Sequence, residues 1–199
     1  MRTERTMTTR RLLDDRQHSI LLPTGGLWYA YDPRPEDVHG RDFPHLARVQ
    51  RWHGYTSTPL TVAEHCCRVA ELLAAWGSPR HVQLQGLVHD LHELYPPGDV
   101  PGPLLRADTV IAAALRELER MAREATRTAL GLPLVFDPLV HAADRVLLAT
   151  ERRDLMPMAD EALFAGLPEP LPDRIHPWSA DKAGREWMSM FELLGGVLP

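Results

Sequence analysis

With 199 residues, the chain fits one domain or one domain with short appendages. At that size about 70% of the surface of the unfolded chain can be buried, so no disulfide staple is needed. A net charge of −5, from 22 basic and 27 acidic residues, excludes a protein that tracks nucleic-acid backbones, but it leaves room for a small anionic ligand in a local basic pocket. The two cysteines, Cys66 and Cys67, are adjacent, which suits reduced thiols and a cytoplasmic setting. The basic start leads into no apolar run of signal-peptide type, and no stretch is long enough to span a membrane.

In chain order, residues 1–18 are polar and are expected to be a flexible N-terminal segment, with a single domain over 19–199. Between Ile20 and Tyr31, Thr24-Gly25-Gly26 separates two apolar segments, the pattern of a small β-hairpin. Asp42 to Trp52 can form a short helix with Pro44 in its first turn. Thr61-Val62-Ala63-Glu64 has the form of a capping box and starts a helix running to Trp76. A second helix is expected from Pro79 to Leu94, followed by a non-helical loop from Tyr95 to Pro103. A long helix follows over Asp108–Leu130, and another begins at Asp137-Pro138 and runs to Met156. Residues 157–177 are Pro-rich, with room for one helical turn near Ala159 to Phe164, and a last helix spans Trp178–Leu194. The fold class is therefore all-α, a helical bundle with a small N-terminal β-hairpin.

The chemistry concentrates on a few positions. His89 and Asp90 are adjacent, and an imidazole and a carboxylate are suitable ligands for a first-row metal. A His-Asp pair alone is a weak signal. On a continuous helix Glu93 shares their face, being three and four residues further on. His65 lies in an otherwise apolar helical run. Asp144 sits between apolar neighbours in a helix, where a carboxylate needs either a cation or strong hydrogen bonds from helix N-termini, and both remain open.

Taken together, Ala63-Glu64-His65, Leu87-Val88-His89-Asp90-Leu91-His92-Glu93, Gly98-Asp99-Val100-Pro101 and Ala143-Asp144 resemble the HD-superfamily metal-dependent phosphohydrolases. The likeness is to the bacterial 5'-deoxynucleotidases and to phage and bacterial HD hydrolases such as dATP triphosphohydrolases. It extends upstream to Leu46–Tyr55 and covers about Trp28 to Met156. The resemblance implies an HD-domain bundle in which His65, His89, Asp90 and Asp144 are metal ligands. It implies that Glu93 and Asp99 handle the attacking water and the leaving oxygen. Arg51 would hold phosphate, and Trp52 would pack on the sugar and select against a 2'-hydroxyl. The implied cofactor is a divalent transition metal (Co, Mn, Zn, Fe or Ni), and the implied partners are a nucleotide substrate and further copies of the chain, with neither nucleic acid nor membrane. Two departures stand out. The loop between Glu93 and Asp99 is one residue longer than in the 5'-deoxynucleotidases, and Arg106 stands near the place of a lysine, as a candidate second phosphate contact.

These roles are physically coherent. Two imidazoles and two carboxylates leave coordination positions open, and a planar guanidinium can grip phosphate with paired hydrogen bonds. The expected reaction is hydrolysis at the bond between the α-phosphorus and the 5' oxygen of a deoxynucleotide, as a dNTP triphosphohydrolase or a 5'-deoxynucleotidase. The competing expectations are a nucleotide-sensing module without turnover, a structural metal site, and an HD hydrolase of another phosphorylated small molecule. The remaining polar residues have plain expectations. His92, three residues after His89, is either a solvated helix histidine or a neighbour supporting the cluster, His141 is a helix-surface histidine, Glu64 and Arg68 are an ordinary helix ion pair, and the Arg116–Arg127 charge run is a solvated face. Trp76, Trp178 and Trp187 are packing anchors.

Overall fold

A computed structural model of the chain describes residues 19–156, 162 and 165–199. The flexible segment expected over 1–18 lies outside the described residues, as does the helical turn expected around 159–164, apart from Ala162. Among the described residues the protein is mostly helical, with one two-stranded antiparallel sheet. No described helix is long and apolar enough to cross a membrane.

The expected hairpin forms from β1 (Ser19–Leu21) and β2 (Leu27–Tyr29), with Ile20 opposite Trp28. Gly25 supplies the positive φ of +89° that the turn requires. The short helix expected over Asp42–Trp52 is instead a 3-10 helix, Gly40–Arg48, which ends four residues early. Pro44 lies inside it and brings no N–H, which weakens a longer α-helical ladder there. The chain then extends through Val49 and Gln50, where Gln50 bridges to Thr61 and the Arg51 N–H donates to the Leu60 carbonyl at 2.8 Å.

Helix α1 (Val62–Ala75) starts at Thr61, whose side chain accepts from the Glu64 N–H at 3.1 Å. The capping box is only half closed. The Glu64 carboxylate turns away, accepting from Arg68 at 2.6 Å and from the Trp178 N–H at 2.8 Å. The expected Glu64–Arg68 helix ion pair is present, and because Glu64 is fully buried and also bonds Trp178 it ties α1 to the approach to the last helix. Helix α2 (Arg80–Val88) stops well before the expected Leu94. Asp90 leaves helical geometry at φ −106° and ψ 15°, and Leu91–Leu94 form a 3-10 turn.

The Pro-rich stretch expected to be non-helical to Pro103 yields a short helix, α3 (Gly102–Arg106). Pro103 falls in its first turn, where a missing N–H costs nothing. Helices α4 (Val110–Ala129) and α5 (Pro138–Leu155) follow, capped by Thr109 and Asp137, and α6 (Ala180–Leu193) is capped by Ser179.

Helix α1 is the hub, packing on α2, α5 and α6. Its residues Cys66, Cys67, Val69 and Leu73 are fully enclosed, so both thiols face the core. Trp187 is buried as an anchor, its ring edge-on to Phe43, and its Nε1 donates to the Leu87 carbonyl at 2.9 Å. Trp76 is not an anchor: it is 45% exposed at the end of α1. Leu73 packs over Gly86 of α2 so closely that a Cβ at Gly86 would lie within 2.4 Å of the leucine Cδ1. Leu73→Ala is expected to cost about 2–5 kcal/mol of unfolding free energy, read from denaturant melts, while the metal content of the folded protein stays unchanged.

Candidate metal centre

His65 comes from the first turn of α1, His89 from the end of α2, Asp90 from the break after it, and Asp144 from the second turn of α5. Their ligand atoms converge. The Nε2 atoms of His65 and His89 are 3.3 Å apart, and His65 Nε2 lies 3.2 Å from Asp144 Oδ1 and 3.7 Å from Asp90 Oδ2. His89 Nε2 is 3.1 Å from Asp90 Oδ2 and 3.9 Å from Asp144 Oδ1.

The outer nitrogens of both rings are engaged. His89 Nδ1 lies 2.7 Å from the Gly86 carbonyl, which can only accept, so Nδ1 carries the proton. His65 Nδ1 donates to Glu151 Oε1 at 2.5 Å. In the neutral imidazoles both Nε2 lone pairs therefore face one another across 3.3 Å, an arrangement that requires a positive charge between them. Donors about 2.0–2.1 Å from one ion in tetrahedral array are about 3.4 Å apart, the scale of the spacings here. His65, His89 and Asp144 thus form a group positioned to bind a metal ion, and Asp90 reaches the same point.

Electrostatics agree with the geometry. Burial works against charge on both histidines, but neighbouring carboxylates outweigh it, Glu151 and Asp144 at His65 and Asp90 at His89, so both sit above the ordinary imidazole value. Asp90 is held well below the usual carboxylate range, as His89, His65 and Arg51 overcome the burial penalty. A proton and a cation compete for the same lone pairs.

Beside this centre lies a cavity of about 350 Å³, lined by Arg51, Trp52, Asp90, Glu93, Asp99 and Asp144 among others. Arg51 is buried, with Nη1 3.6 Å from Asp90 and 3.7 Å from Asp99, and Nη2 3.4 Å from Glu151. Burial opposes its charge, and Glu151, Asp99, Asp90 and Glu93 reverse that and hold it firmly cationic. Trp52 and His53 adopt left-handed backbone angles, φ 57° and 52°, a strained turn for residues with a Cβ. Two hydrogen bonds hold it: the Trp52 N–H to Asp99 at 2.8 Å, and its indole Nε1 to Glu151 at 3.0 Å.

Asp99 therefore reaches the cavity across the lengthened loop, which contains a cis peptide bond between Pro96 and Pro97. Burial raises its carboxyl, with Asp90 adding to the shift and Arg51 opposing it. Glu93 stands beside Asp90, though for a different reason than a shared α-helical face. In the 3-10 turn residues three apart eclipse one another, and the Glu93 N–H donates to the Asp90 carbonyl at 2.9 Å. Burial, together with Asp90 and Asp99, pushes the Glu93 carboxyl well above the carboxylate range.

Arg106 is exposed and lies outside the cavity lining, at the end of α3. Besides Arg51, Arg123 of α4 lines it, so the Arg116–Arg127 run is not simply a solvated face. Glu119 on the same helix is buried at the cavity, and burial pushes it up to about 7. His92 is not a surface histidine either: it is 5% exposed, and burial pushes it down to about 3. His141 remains exposed. The residue the sequence left unremarked is Glu151. It lies seven residues after Asp144, two turns along the same face of α5, and that spacing was the available signal.

Two outcomes follow. Glu151→Ala is expected to weaken metal affinity by about 10–100-fold in calorimetric titration, because His65 loses the acceptor that orients it. Lowering the pH from about 8 to about 6 is expected to weaken metal binding more steeply than a single protonation allows, since two imidazoles with raised values must lose protons to bind.

No protein-family model matches the chain. It is similar to the "Uncharacterized protein YfdR" of Escherichia coli K12, at 33% identity over 139 residues, a span of 69% of this chain and 72% of YfdR. The matched share is large on both sides, and the chain belongs to the family of YfdR.

Proposed function

We propose that the protein is an HD-type, metal-dependent phosphohydrolase that cleaves the 5' phosphate ester bond of deoxynucleotides, as a dNTP triphosphohydrolase or a 5'-deoxynucleotidase. The observation that carries this reading is the pair of inward-facing Nε2 atoms of His65 and His89, flanked by Asp90 and Asp144, at the edge of a cavity walled by Arg51 and Trp52.

His65, His89, Asp90 and Asp144 would hold one divalent ion; their two nitrogens and two oxygens suit Co, Mn, Zn, Fe or Ni. Such an ion supplies Lewis acidity, drawing charge from phosphoryl oxygens and making water a better nucleophile near neutral pH. The other steps belong to the chain. The Arg51 guanidinium, already cationic and fixed by three carboxylates, offers charge-assisted hydrogen bonds to a phosphate entering the cavity. Trp52 presents its indole to the cavity wall, where a sugar can stack while its N–H stays bonded to Glu151.

Glu93 and Asp99 face the same space with raised carboxyls, so one can carry a proton while the other accepts one. That pairing fits removal of a proton from the attacking water and its delivery to the departing 5' oxygen. The cavity of about 350 Å³ is at the lower end of the usual range for small-molecule sites, enough for a nucleotide held by part of its surface.

Metal-loaded protein incubated with a panel of dNMPs and dNTPs is expected to release nucleoside from at least one, with phosphate or triphosphate as co-product. No nucleoside from any of them would refute the reading. Arg51→Ala is expected to lower kcat/KM by about 10–100-fold, the worth of a hydrogen bond to a charged group, with a smaller loss for Arg51→Lys.

A further inference from the structure

Next to the His65, His89 and Asp144 group lies a second one. Ligand atoms of Asp90, His92 and Glu93 all fall within 4.8 Å of one another. All three line the same cavity, and Asp90 also reaches the first centre through its contacts to His65 and His89. His92 and Glu93 are more than nine-tenths buried, at 5% and 8% exposure. Each has a polar side-chain atom without a hydrogen-bond partner: Nδ1 of His92 and Oε2 of Glu93. An unpartnered buried donor or acceptor costs about 1–3 kcal/mol, so two within one three-residue turn call for a ligand.

The charge in the cavity points to the sign of that ligand. Among the described residues its walls carry the carboxylates of Asp90, Glu93, Asp99, Glu119 and Asp144 and the guanidiniums of Arg51 and Arg123.

We propose that Asp90, His92 and Glu93 hold a second divalent cation, with Asp90 shared between it and the ion of the first centre, so that with both ions bound Glu93 is a ligand and proton transfer falls to Asp99. The inference rests on the first centre being a metal site. One imidazole and two carboxylates form an oxygen-rich donor set that suits Mn²⁺ or Co²⁺, with open positions for phosphate oxygens. The 3-10 turn creates the site: it stacks Glu93 on Asp90, which a continuous helix would have offset. The second ion's task is to neutralise a phosphate group that the first ion and Arg51 do not reach, as in enzymes that clamp phosphoryl groups between two metals.

The full chain, stripped with chelator and then titrated with Mn²⁺, tests this by equilibrium dialysis with elemental counting and by electron paramagnetic resonance. Two equivalents are expected, with a spin-coupled Mn²⁺ pair in the doubly loaded wild type. Glu93→Gln and His92→Gln, nearly isosteric and checked for folding by circular dichroism, are expected to keep one equivalent and weaken the second by roughly tenfold or more. A wild type that saturates at one equivalent, lost in Asp144→Asn, overturns the second site and leaves the first centre standing. A wild type that binds none overturns both. Two equivalents retained in both glutamine variants, or two ions without spin coupling, overturn the shared site.

Discussion

Much of the site depends on one fully buried carboxylate, Glu151. It accepts from His65 Nδ1 at 2.5 Å, from Trp52 Nε1 at 3.0 Å and from Arg51 at 3.4 Å. Those donors are the outer nitrogen of an imidazole in the candidate metal centre, a guanidinium at the cavity and the indole of its wall. His65, Arg51 and Trp52 hold Glu151 below the ordinary glutamate range despite its burial. Removing one partner of a buried charged pair commonly costs about 3–5 kcal/mol, since the remaining charge is left without compensation. Here it would also release three groups that the proposed chemistry needs in register.

The rest of the fold brings distant segments to that carboxylate. Helix α1 presents His65 outward from a core of Cys66, Val69 and Leu73, and α5 presents Asp144 and Glu151 from one face two turns apart. The segment before α1 must bend sharply to place Arg51 and Trp52 over them. It does so through left-handed backbone at Trp52 and His53, a conformation costing of order 1–3 kcal/mol per residue. The bonds from Trp52 to Asp99 and Glu151 offset that cost, so the strain and the site are maintained by the same contacts.

The helices were legible in the sequence where local chemistry marks them. Thr61, Asp137 and the glycine after α4 signal helix ends through their own side chains or backbone freedom. The ends of α2 and of the Gly40–Arg48 helix were not, because no proline or glycine falls within His89–Leu94 or Val49–Trp52. The break at Asp90 places its carboxylate where a continuous helix would not. Of the site residues, His65 and Asp144 stood out as chemistry-bearing types in apolar surroundings and His89-Asp90 as an adjacent pair, while their joining into one set came from the resemblance to HD hydrolases. Glu151 was missed because it sits in a charged run, Glu151-Arg152-Arg153-Asp154, that has the composition of a solvated helix end. Arg123 was passed over for Arg106 for a related reason: a helix that is charged around much of its circumference does not disclose which charge faces a cavity.

Cys66 makes the central claim unusually open to test. Its sulfur lies 3.9 Å from His89 Nδ1, on the outer side of the imidazole, so a thiol is near the centre yet placed behind a ligand. X-ray absorption on the zinc-loaded protein distinguishes the two donor sets directly. The account predicts a first shell of nitrogen and oxygen at about 2.0–2.2 Å with imidazole scattering from two histidines and no sulfur. A sulfur shell at about 2.3 Å, or an ion without imidazole scattering, would contradict it.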